Sequence, residues 1–134
     1  MSESLKHKKL VLKMKEYIEN NYSIVSELLK CDLPEFSNPP KILHFVPDIF
    51  YKCEDSIIIG EAKTSLDFDR EHSLKQYEAF LKYCDTYSEK GIFFIIVPWT
   101  EFASAHNLFR RLKMNFGFKC HIIVLNEIFE EIHI

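Results

Sequence analysis

No stretch of this sequence is apolar for long enough to cross a bilayer. Its cleanest apolar run, Ile92 to Val97, is of strand length, whereas a helical span needs ~18 residues. The opening Met-Ser-Glu-Ser-Leu-Lys-His-Lys-Lys has no apolar core of the signal-peptide kind, so the expected setting is cytoplasmic, with no membrane partner. Cysteine is sparse and scattered: Cys31, Cys53, Cys84 and Cys120 form no Cys-x-x-Cys pair, which suits reduced thiols better than a disulfide frame or a zinc site. The six histidines make no His-Glu-x-x-His spacing. The Gly-x-Ser-x-Gly elbow of serine hydrolases is missing, and no cysteine or histidine sits on a recognisable nucleophile turn. A basic excess is lacking too. The net charge is −3, which weighs against a nucleic-acid binder unless the positive charge is local. It is clustered in two places, Lys6, Lys8, Lys9, Lys13 and Lys15 near the start, and Arg110, Arg111 and Lys113 late. Such clusters are more often solvated helix faces than phosphate-binding surfaces.

What is present is the composition of a soluble globular protein, 47% apolar and 28% charged over 134 residues, with no repeat, linker or low-complexity segment. That length fits one domain, 1–134, large enough for a core without covalent staples.

The most informative stretch runs from Pro47 to Lys63. Phe45 to Tyr51 and Ile57 to Lys63 are rich in β-branched and aromatic residues, and Cys53-Glu54-Asp55-Ser56 breaks them, so a hairpin is expected. With Glu54 and Asp55 as the two loop residues, Asp48 falls opposite Glu61, and Val46 opposite Lys63. Glu61 and Lys63 share a face because strand side chains repeat every two residues. Two carboxylates about 5 Å apart repel by roughly 3 kcal/mol at an effective dielectric of about 20. A hard divalent cation held by oxygens resolves that conflict, and the bland alternative is a solvated hairpin with ordinary surface charges. Apolar residues of both parities on the two strands favour burial of the pair.

Pro47-Asp48 followed on the next strand by Glu61-Ala62-Lys63 resembles the PD-(D/E)xK nuclease superfamily. The resemblance covers about the middle third of the chain and extends to the next helix, where Gln76 stands at a position that several branches fill with glutamine. Those branches carry a tyrosine four residues on. This chain has Phe80 there, with Tyr77 and Tyr83 as the candidates to take its place. The resemblance implies a restriction-endonuclease-like core and Mg²⁺-dependent endonuclease activity, with Mn²⁺ as the substitute metal. It implies Asp48, Glu61 and the Ala62 carbonyl as metal ligands, and Lys63 to orient or help deprotonate water and stabilise charge on the phosphate. Gln76 and Thr64 would help position water or phosphate, and His7 and Glu16 are the polar groups the first helix would offer. By family habit the substrate is DNA in preference to RNA, and a homodimer would suit two cuts in a duplex. The competing reading is a non-catalytic nucleic-acid-binding or assembly protein on the same fold.

The remaining segments are read from periodicity. Leu5 to Asn21 is an amphipathic helix with Leu10, Val11, Met14, Tyr17 and Ile18 inward. Ser23 to Leu33 is open between a short helix and a strand, and the resemblance implies a strand. Pro34 to Pro40 is a loop. Leu74, Tyr77, Phe80, Leu81 and Cys84 form a helical stripe, with Gln76 about one position off it. Ile92 to Val97 is a buried parallel strand, after which Thr100 caps a helix from Glu101 to about Asn115. Lys119 to Leu125 is the last strand, and Asn126 caps a short helix over Glu127 to Ile132. The expected fold is a single α/β/α layered domain with a mixed sheet: helix, three antiparallel strands, helix, strand, helix, strand.

Overall fold

The computed structural model describes residues 4–134. Helix α1 covers Leu5–Asn21 as the periodicity predicts, and begins where the Ser4 hydroxyl accepts the His7 N–H at 3.1 Å. A single 3₁₀ turn, Ser26–Leu28, leads into β1, Leu29–Cys31, so both readings of this stretch hold part of it. Strands β2, Ile49–Cys53, and β3, Ser56–Ala62, form the expected hairpin. Then come α2, Glu71–Asp85, β4, Gly91–Ile96, α3, Phe102–Phe116, β5, His121–Leu125, and β6, Glu131–His133.

The six strands lie in sequence order in one mixed sheet. β1, β2 and β3 are antiparallel, β3–β4 and β4–β5 are parallel, and β6 returns antiparallel to β5. Alternation sorts the buried residues between the faces. Ile57, Ile59, Phe93, Ile95, Ile122 and Val124 meet Tyr77, Phe80 and Leu81 of α2 and Phe109 of α3. Ile49, Tyr51, Ile58, Phe94, Ile96 and Leu125 meet Leu10, Val11, Met14 and Ile18 of α1. Gly60 lets α1 come this near: a Cβ there would lie 2.9 Å from Met14 Sδ.

Four expectations need correction. β2 starts at Ile49, not Phe45, because residues 42–45 close a small turn with Leu43 at φ 57° and Pro47 offers no N–H for a ladder. Val46 therefore has no ladder pairing with Lys63. Thr100 does not cap α3: it lies inside a 3₁₀ turn, Trp99–Glu101, and Glu101 occupies the cap position without a side-chain bond. The C-terminal segment is a strand, not a helix. Asn126 Oδ1 accepts the N–H groups of Ile128 and Glu130, both at 3.1 Å, and these bonds close a tight turn in place of a helix start. The turn aims Glu131–His133 along the edge of β5.

Candidate active site

The β2–β3 register has Ile49 opposite Gly60 and Cys53 opposite Ser56, the pairing expected with Glu54-Asp55 as the loop. Glu54 takes φ 56° to make this turn. Extended by one residue, the register sets Asp48 against Glu61 at the far end, where the backbone ladder stops. Side chains take over there: Asp48 N–H donates to Glu61 Oε1 at 3.2 Å, and Ala62 N–H donates to Asp48 Oδ2 at 2.8 Å. Both acids are nearly sealed off, at 5% and 3% exposure.

Lys63 continues β3 by one residue, its N–H donating to the Ile96 carbonyl at 3.0 Å. Its parity directs the side chain to the α2 side. Nζ lies 3.4 Å from Glu61 Oε2 and donates to Gln76 Oε1 at 2.5 Å. Gln76, off the apolar stripe of α2, is turned to the site and not to solvent. From the opposite layer, His7 Nε2 reaches Asp48 Oδ2 at 3.2 Å. Sequence-predicted residues from four places in the chain thus converge: His7, Asp48, Glu61 with Ala62 and Lys63, and Gln76.

The electrostatics of the pair are those of two acids competing for one charge. Burial pushes the Glu61 carboxyl well above its ordinary range, the neighbouring Asp48 charge and a hydrogen bond between the two carboxyls push the same way, and the Lys63 ammonium pulls back without winning. A proton between the acids relieves their repulsion, and a divalent cation would do so as well.

Other candidates stand apart. Glu16 is exposed on α1. Thr64 Oγ1 bonds the Asp67 carboxylate at 3.4 Å, in the loop that follows β3. Tyr77 is fully buried, and its hydroxyl donates to the Phe68 carbonyl at 2.6 Å, tying that loop to α2. Tyr83 pairs with Tyr87 near the C-terminal end of α2, and Phe80 fills the core. Asp32 was missed by the sequence reading. Its N–H donates to the Asp48 carbonyl at 2.9 Å, and its carboxyl is raised first by burial, then by the Asp48 charge, with His7 opposing. Had the β1–β2 pairing been in hand, Cys31 opposite Ile49 would have revealed it.

Among the described residues, no group of three or more His, Cys, Asp or Glu side chains is arranged to hold a metal ion. A cation here would rest on Asp48, Glu61 and main-chain oxygen. Two carboxylates and a carbonyl are hard oxygen donors of the kind Mg²⁺ takes. Beside the site, a cleft of about 780 Å³ opens between α1 and the C-terminal ends of the parallel strands. Thr64 and Lys6 line it, whereas Asp48, Glu61, Lys63 and Gln76 do not, so the acids border the cleft without facing into it. No family model, no curated protein and no solved structure matches this chain.

Proposed function

We propose that this chain is a divalent-metal-dependent endonuclease of the PD-(D/E)xK kind, on a restriction-endonuclease-like core, that hydrolyses phosphodiester bonds in DNA. The observation that carries the reading is the Asp48–Glu61–Lys63–Gln76 constellation at the end of β3. Two buried acids share an unfavourable charge while a lysine is held beside them by two acceptors. Isolated buried acids destabilise a fold, and their placement opposite one another is explained when a cation belongs between them. Asp48, Glu61 and the Ala62 carbonyl would hold Mg²⁺ or Mn²⁺. Bound there, the metal supplies an acidified water and neutralises charge on the phosphoryl oxygens.

The chain's own groups do the rest. Gln76 and Glu61 fix the Lys63 ammonium, so it meets the attacking water and the charge developing on phosphate without reorganising. His7 and the Ala62 N–H hold Asp48 Oδ2 in place, which fixes the orientation of that carboxylate.

The test is incubation with single-stranded, duplex and branched DNA and with RNA, in chelator, Mg²⁺ or Mn²⁺. Divalent-dependent cleavage of DNA is the expected result. Tight binding with no cleavage in either metal would replace the enzyme with the non-catalytic binding protein, and cleavage of RNA alone would move the substrate.

A further inference from the structure

Asp48 is tied down along its main chain and at one carboxylate oxygen. Its N–H donates to Glu61 Oε1 at 3.2 Å and its carbonyl accepts the Asp32 N–H at 2.9 Å, so the backbone is fixed from both sides. Its Oδ2 takes two partners, the Ala62 N–H at 2.8 Å and His7 Nε2 at 3.2 Å. An ionised carboxylate only accepts, so the His7 ring carries a proton on Nε2 toward that oxygen.

The ring is presented by an anchored helix end. His7 lies in the first turn of α1, where the Ser4 hydroxyl accepts its N–H at 3.1 Å. The next residue, Lys8, pairs with Glu35 at 2.9 Å and ties this turn to the loop beyond β1. The His7 side chain is 20% exposed.

A carboxylate oxygen offers two lone-pair sites, and on Oδ2 two N–H donors already fill them. A cation that binds Asp48 without breaking these bonds uses Oδ1 alone. That restriction falls unequally on different ions. Mg²⁺ takes six ligands and keeps several waters, so one oxygen from a carboxylate suits it. Ca²⁺ takes six to eight oxygens and often draws two of them from one carboxylate. Of the two donors on Oδ2, the Ala62 N–H comes with the backbone of β3. The imidazole of His7 is the one that a side chain adds.

We propose that His7 makes Asp48 a one-oxygen ligand and thereby turns the site toward Mg²⁺ and away from Ca²⁺. The proposal rests on the metal reading of this site and gives it a selectivity determinant that never touches the cation.

The test needs no substrate. Mn²⁺, whose free aqueous ion gives a paramagnetic resonance signal, is bound to the protein and displaced with Mg²⁺ or with Ca²⁺. The ratio of the two displacement constants is compared among parent, His7→Ala and His7→Gln. His7→Ala should move the ratio toward Ca²⁺ by about tenfold, at the low end of what losing a partner of a metal ligand does to affinity. His7→Gln, whose amide nitrogen can stand where the ring nitrogen stands, should keep the parent ratio. A histidine that merely supports the fold predicts another pattern, in which both cations weaken together and the ratio holds. Melting in chelator checks that each variant folds, and His7→Leu, which keeps bulk but donates nothing, replaces His7→Ala if that protein does not.

An unmoved ratio in the donor-free variant, or a ratio moved as far by His7→Gln, would overturn the proposal while leaving the metal site and the nuclease reading in place. Parent protein that binds neither cation removes the metal site, and this inference with it. A ratio that moves as described in a protein that never cuts nucleic acid upholds the role of His7 and removes only the nuclease.

Discussion

The two ends of β3 carry the same kinds of charge in opposite circumstances. At the turn end Asp55 and Lys90 form an ion pair in full solvent, and it lowers the Asp55 carboxyl and raises the Lys90 ammonium, chiefly through their hydrogen bond. At the other end Glu61 and Lys63 are also paired, yet burial and a second acid outweigh the lysine and leave Glu61 raised. The first pair screens itself and asks nothing of its surroundings. The second is incompletely compensated, and such incompleteness is what a binding or catalytic site holds in reserve. Pairing alone therefore does not mark a candidate site; an acid that stays raised despite a cation beside it does.

The largest effect that sharpens the contrast is on cleavage. On the nuclease reading, Lys63→Ala should cut the rate by about a hundredfold or more, because that reading places the lysine's cation at the reacting phosphate. Far-ultraviolet dichroism and cooperative melting should persist, since Glu61 can take a proton once its cation is gone. A Lys63→Ala protein that still cuts DNA at the parent rate would remove Lys63 from the chemistry.

Next in size is the response to metal. A cation binding only the folded state stabilises it by about 1.4 kcal/mol at ten times its Kd, or roughly 3–5 °C in melting for a chain of this length. Parent protein should show that rise with Mg²⁺. Asp48→Asn should melt higher than parent in chelator and respond little to the metal. A full Mg²⁺ response in that variant would make Asp48 a structural acid and place the metal elsewhere.

The hairpin was legible because local chemistry fixes it: two polar loop residues set the register, and the register sets Asp48 against Glu61. Helices α1 and α2 were legible from their apolar stripes, and Gln76 from its place just off one. The C-terminal strand was not, because Asn126 is as good a cap for a turn as for a helix, and the choice falls to the unpaired edge of β5. Asp32 was missed for a related reason, since it gains meaning only from β2, brought alongside β1 by long-range pairing.

A smaller effect follows from the raised Glu61. In the folded, metal-free protein this acid holds its proton to higher pH than in the unfolded chain, so its contribution is fully present below about pH 4.5 and is lost as pH rises through the folded value. Glu61→Gln removes the penalty of ionisation. Thermal melts in chelator should therefore find the variant level with parent near pH 4 and increasingly more stable than parent as pH rises. A gap that is constant with pH would mean that Glu61 does not titrate in the folded state.

The smallest effect belongs to the solvated end. Asp55→Ala should leave the melting temperature within measurement error and the metal response unchanged. A marked loss in either would show that the turn pair supports the hairpin register, and the two ends would then be coupled through β3.

The strands that border the sheet have a consequence for self-association. β1 and β6 are three residues each; Lys30, Glu131 and His133 on them are polar and exposed or half-exposed, and Ile132 is half-buried against the core. Short, charged borders offer a neighbouring chain little backbone to zip onto. Continuation of the sheet from one molecule into the next is thereby discouraged, and any second copy would have to meet this one through helices or loops.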